Sequence, residues 1–176
     1  MTVIIAFYAA ATASLNTRKR ASAHIQKSIA MGLNFNKYVM DAERIVREVA
    51  VELGAPWDVS KGGRILRAVL HAFRDRMTPQ ESLQLIAQFP MLLKAIYVDG
   101  WQINGEARRL RHLGDFIEAV REAGGRATLN DFVTDYEVER AIRAVFKVLQ
   151  AHVSPGEIND ILATLPLELR PLFTAN

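Results

Sequence analysis

The segment from Arg67 to Tyr97 recurs from Arg143 to Phe173, at an offset of 76 residues. The first copy reads RAVLHAFRDRMTPQESLQLIAQFPMLLKAIY and the second RAVFKVLQAHVSPGEINDILATLPLELRPLF. Eight of the 31 positions are identical: Arg67/Arg143, Ala68/Ala144, Val69/Val145, Pro79/Pro155, Glu81/Glu157, Ala87/Ala163, Pro90/Pro166 and Leu93/Leu169. Elsewhere apolar positions stay largely apolar. What recurs is a core pattern, a helix cap and a helix break, all of them structural. Two units of about 70 residues are each marginal alone and are expected to pack on one another.

The spacing within and around the repeat is helical. Phe35 to Leu53 is predicted as a helix with Val39, Ile45, Val46, Val49 and Leu53 along one stripe. Gly54 and Pro56 end it. Lys61-Gly62-Gly63 is expected to be a loop or a weak first turn, before a second amphipathic helix carrying Ile65, Leu66, Val69, Leu70 and Phe73 to about Arg76. Thr78-Pro79-Gln80-Glu81 places a capping hydroxyl before a first-turn proline, with a glutamate able to reach back to the cap. Ser154-Pro155-Gly156-Glu157 repeats that arrangement. Pro90 breaks the next helix, and Met91, Leu92, Ile96 and Tyr97 form a short fourth one. The second unit opens near Leu113 with Phe116, Ile117 and Val120, stops at Gly124-Gly125, and has a longer loop from Arg126 to Asp135. The expected fold is all-α: two tandem, pseudo-symmetric units of about four helices each, over residues 31–104 and 105–176, behind an N-terminal extension of residues 1–30.

The pI near 9.4 has a local origin. Residues 1–30 hold Arg18, Lys19, Arg20 and Lys27 and no acid, which leaves 18 basic against 19 acidic residues in 31–176. A nucleic-acid binder usually carries its basic footprint on the folded domain, and here that domain is close to neutral. The extension begins with an apolar run, Val3–Ala11, too short for a transmembrane helix. Ala11-Thr12-Ala13 resembles a signal-peptidase site, but no positive charge precedes the run. The other readings are an upstream in-frame extension of a protein starting near Met31, or a surface helix. The repeat pattern is complete from about Phe35, so residues 1–30 are expected to be dispensable for folding. There is no cysteine, which excludes disulfides, zinc-thiolate sites and cysteine nucleophiles.

The stretch Leu66 to Trp101, LRAVLHAFRDRMTPQESLQLIAQFPMLLKAIYVDGW, resembles the tandem proteins of an uncharacterised, mainly bacterial family called domain of unknown function 2267. The second copy is similar to it through AVFKVLQAHVSPGEINDILATLPLELRPLF. The resemblance covers roughly Phe35 to Phe173. Phe89 and Ala95 depart mildly from the family pattern, and Gly62-Gly63 stands where the family tends to have alanine and an aromatic. The resemblance implies a helical tandem with no established activity and carries over no catalytic residue.

Few polar residues stand out as chemistry. His24, His71, His112 and His152 lack metal-ligand spacing, and His71 and His152 are expected on helix surfaces or near helix ends. Glu81 and Glu157 are explained as caps. Arg67 and Arg143 hold equivalent places and are expected to make an ion pair or carbonyl contact between neighbouring helices; the alternative is a pair of anion-binding groups. Trp101, in Asp99-Gly100-Trp101, is expected to plug the seam between units; the alternative is a partner or ligand cleft lined by Trp101 and Tyr97. Arg108, Arg109 and Arg111 form the basic patch of the folded part, diluted by Glu106 and Asp115 and without an aromatic platform. No Gly-x-Ser-x-Gly turn or phosphate-cradling glycine loop is present, and no catalytic residue, metal or cofactor is expected. The leading expectation is therefore a non-enzymatic helical module whose partner is another protein or a second copy of itself. The alternatives are a small-ligand or anion-binding regulator at the seam and, behind it, a low-affinity nucleic-acid binder. A cytoplasmic location follows unless residues 1–30 are a targeting segment, in which case export or membrane contact through them is the alternative.

Overall fold

The computed structural model describes residues 34–103 and 112–173. The calls on residues 1–30, including His24, fall outside these residues. The described residues hold seven α-helices, two 3-10 turns and no strand, so the protein is all-α. Residues 38–176 cluster as one compact unit.

Helix α1, Phe35–Glu52, buries Ala42, Ile45, Val49 and Ala50. Val39 was placed on that stripe by its spacing but is 44% exposed. The helix stops at Gly54, whose φ of +73° lets the Gly54 and Ala55 amides turn back onto the Val51 and Ala50 carbonyls. Helix α2, Val59–Arg74, starts earlier than its sequence suggests. Asp58 caps it by accepting from the Lys61 amide at 2.8 Å, so Lys61-Gly62-Gly63 is helical and neither loop nor weak turn. Gly62 is buried where α2 meets α1. A Cβ there would stand 2.6 Å from the Val46 carbonyl oxygen and 3.1 Å from the Ala50 Cβ. This glycine is selected by a close approach of helices, and the helix tolerates it.

Helix α3, Pro79–Gln88, begins with the full reciprocal cap. The Glu81 amide donates to Thr78 Oγ1, and the Thr78 amide donates to Glu81 Oε2 at 2.7 Å. Phe89-Pro90 breaks the chain into α4, Met91–Val98. Helix α5, Leu113–Gly124, runs into a 3-10 turn at Gly125–Thr128. Helix α6, Asp135–His152, carries a reciprocal Thr134–Glu137 cap that the long-loop reading missed. Helix α7, Pro155–Thr164, has only half of its expected cap: Ser154 accepts from the Glu157 amide at 3.4 Å, without the return bond. Burial and the nearby Asp160 charge push the Glu157 carboxyl above its ordinary range. The Glu137 carboxyl, receiving the Thr134 amide, is held below it. A 3-10 turn, Arg170–Leu172, follows where the first half has the α-helix α4. Pro171 occupies the place of Ala95 and offers no N–H to an α-helical ladder.

Some element boundaries recur at the offset of the sequence repeat. Val59 and Asp135, which open α2 and α6, are 76 residues apart, as are both ends of α3 and α7. The halves share one core. Helix α2 packs along α5. Helix α1 is tied to α6 by Lys147 Nζ to Glu52 at 2.8 Å and by His152 Nε2–H to Glu48 at 2.5 Å. In the interior, Phe73 meets Phe146 edge-on at 4.9 Å between ring centroids. Phe173 lies 3.9 Å from Phe146 and 6.1 Å from Phe116. An aromatic of the first half thus packs against two of the second, Phe146 and Phe173.

Candidate functional site

The sequence candidates Arg67, Tyr97, Asp99 and Trp101 come together around the C-terminal end of α4. Arg67 Nη2 binds Asp99 Oδ2 at 2.7 Å, with both side chains more than half exposed. This guanidinium holds the Asp99 carboxyl below its ordinary range. Tyr97 is fully buried, donates its hydroxyl to Ser82 at 3.0 Å, and has its phenol pushed by burial up to about 12. Trp101 is half-buried and stands edge-on to Tyr97 with 6.2 Å between ring centroids, a neighbour within its own half.

Two residues that sequence reasoning left aside organise this end. Arg74 is buried and donates from Nη1 to the carbonyls of Tyr97 and Asp99 at 2.8 and 2.9 Å, and from Nε to Asp75. His71 donates Nε2–H to the Ile96 carbonyl at 2.7 Å. Expected on a surface or near a helix end, His71 is instead 7% exposed, because the last carbonyls of α4 lie against α2 and need donors. Desolvation, reinforced by the charges of Arg74 and Arg67, lowers its pKa. The second half keeps part of this device: Gln150, the counterpart of Arg74, donates to the carbonyl of Phe173, the counterpart of Tyr97. Arg143 is elsewhere. It binds Glu139 on its own helix at 2.8 Å and the Pro171 carbonyl at 2.6 Å. Both repeated arginines thus have carboxylate partners, and Arg143 also holds a carbonyl. His152 ends α6 and is half-buried against Glu48. Arg108, Arg109 and Arg111 lie outside the described residues.

A second assembly was not singled out by sequence. Four strongly exposed apolar side chains gather where α2 and α6 begin: Trp57 (81% exposed), Val133 (71%), Tyr136 (69%) and Leu129 (67%). Two polar ties hold the supporting loops at this end. Arg64 Nε reaches Asp131 at 3.0 Å, with Lys61 Nζ at 3.7 Å; Arg140 Nη2 reaches the Leu53 carbonyl at 3.2 Å. Arg64 and Arg140 are counterparts at the repeat offset, and each grips the loop of the other half. A signal was present: Trp57 follows Pro56 in a break between two helical stripes, where no helix face exists to bury it.

Among the described residues no group of three or more histidines and carboxylates is placed to hold a metal ion. No described helix is long and apolar enough to cross a membrane. A narrow cavity near the core, of about 10 Å³, is lined by Phe146, Leu149, Val153, Ile161 and other side chains of the second half with Leu85 of the first. It offers no convergent polar groups.

Fold and surface together define an all-helical protein whose described residues share one core and leave an exposed apolar end. The chain belongs to the family described as uncharacterized conserved protein (DUF2267), whose model matches residues 40–172. No curated protein matches it.

Proposed function

We propose that this protein is a non-enzymatic protein-interaction module that binds its partner through the end formed by Trp57, Leu129, Val133 and Tyr136. The observation that carries the reading is the exposure of those four side chains, three on loops and Tyr136 in the first turn of α6, contributed by both halves. Tryptophan and tyrosine supply large contact areas and dominate binding energy at protein interfaces. An anion-binding role for Arg67 and Arg143 is less well supported, since both already bind carboxylates of this chain. The working location is the cytoplasm, which a cysteine-free chain suits.

The test is proximity crosslinking in the native cells, comparing the full chain with a Trp57→Ser/Tyr136→Ser variant. The variant should keep its helical circular dichroism and its melting temperature, because both side chains are solvent-facing, and should lose the captured partners. Capture of the same partners by the variant would overturn the proposal.

A further inference from the structure

Helix α1 carries two large apolar side chains on its outer face. Its inner face buries Ala42, Ile45, Val49 and Ala50. On the other side Met40 is 69% exposed and Val51 58%. A shallow open groove of about 430 Å³ runs along this face from Met40 to Glu52. Apolar groups of this size gain free energy by leaving water for contact with one another.

The charges between the two have an order. Met40, Glu43, Arg44, Arg47, Glu48 and Val51 follow one another at helical spacings and so share one face. Glu43 and Arg47 form one row, paired at 3.6 Å with both side chains more than half exposed. Arg44 and Glu48 form the next row, with the signs in the opposite order. His152 takes one oxygen of Glu48. Among the described residues Arg44 has no carboxylate partner. Read from either end, the face runs apolar, acid, base, base, acid, apolar.

We propose that α1 pairs with α1 of a second copy of the chain, antiparallel, about a two-fold axis that passes beside Ile45 and Val46. A two-fold contact sets a surface against itself, so every pair across it occurs twice. Turned end over end about that axis, Met40 lies opposite Val51 of the second copy. Glu43 meets Arg47 of the second copy, and Arg44 meets its Glu48. The reason is that a row of two opposite charges, reversed onto itself, sets each charge against its opposite. An uncharged partner would leave these charges unmet. A partner of one sign would repel half of each row, and a copy in parallel register would set every charge against its like. The antiparallel copy answers both rows and both apolar side chains at once. One helix per copy is a small contact beside the 20–30 residues per side typical of a stable interface, so the dimer depends on concentration.

Sedimentation velocity on the full chain tests this, from about 1 to 200 μM, a range suited to a weak contact. Self-association is expected within it. Arg47→Glu sets acid against acid at both occurrences of the pair, and Glu43→Arg sets base against base. Each should keep its helical spectrum and weaken the dimer at least about tenfold. Mixing the two variants should restore association as a heterodimer, and Glu43→Arg/Arg47→Glu in one chain should restore it too. A defect confined to the folding of α1 would persist in the mixture. Because the chain contains no cysteine, Met40→Cys and Val51→Cys read the direction of pairing. With a short bismaleimide linker the two variants together should give the mixed product. Each alone should give little, since like positions stand about 16 Å apart along antiparallel helices at 1.5 Å per residue. A monomer across the whole range, a dimer indifferent to the charge reversals, single variants that stay apart when mixed, or crosslinks joining like positions would overturn the proposal.

Discussion

At the scale of single residues, His71 shows how a buried donor is chosen and what it costs. Its Nε2–H serves the Ile96 carbonyl, a bond that the neutral ring already supplies. Protonation would bury a charge beside Arg74 and Arg67. The folded-state pKa is therefore below the unfolded value of about 6.5. The unfolded chain binds more protons as pH falls past that value, so His71 contributes its full stability above pH 6.5 and loses it progressively below. Urea unfolding at pH 7.5 and 5.5 should show the native chain losing stability relative to a His71→Gln variant, whose amide keeps a donor and does not titrate. Parallel pH curves for the two chains would show that His71 is not the sensing group.

At the scale of elements, the neighbouring glycines of α2 separate propensity from packing. Glycine inside a helix costs about 0.5–1 kcal/mol relative to alanine. At Gly63 an added Cβ finds Val46 Cγ1 at 3.6 Å, an ordinary contact, so Gly63→Ala should stabilise by about that amount. At Gly62 the Cβ would collide with backbone oxygen of α1, and Gly62→Ala should destabilise by about 1–3 kcal/mol despite the better propensity. Denaturant midpoints of the two variants should move in opposite directions; a shared sign would mean that α1 and α2 do not meet as closely as described. The caps follow related logic. Thr78–Glu81 was legible because hydroxyl, proline and glutamate stand in a recognisable order. Thr134–Glu137 was not, because Asp135 and Tyr136 fill its first turn without a proline and an apolar-looking loop precedes it.

At the scale of the whole molecule, the halves are repeats in sequence but not separate cores. Phe173 lies near the end of the chain and contacts Phe73 of the first half at 5.5 Å as well as Phe116 and Phe146 of the second. Phe173→Ala should cost about 3–5 kcal/mol. The loss should appear as one cooperative transition, with amide exchange accelerating in α2 as much as in α6. Two transitions, or protection of α2 unchanged, would mean that each half stabilises itself.

The sequence by itself determined the helices, their proline and glycine breaks, the apolar stripes and the family, because each of these is written in neighbours a few residues apart. It also set Tyr97, Asp99 and Trp101 side by side, whereas Arg67, 32 residues before Asp99, joins them only in the folded chain. Only the tertiary structure decided that His71 and Arg74 are buried donors to the end of α4, that Gly62 is the contact point of α1 and α2, and that Trp57, Val133 and Tyr136 share one exposed end. The physical reason is common to all three. Burial, hydrogen-bond partners and surface neighbours depend on segments tens of residues away, and periodicity along one helix carries no record of what the opposite face will meet.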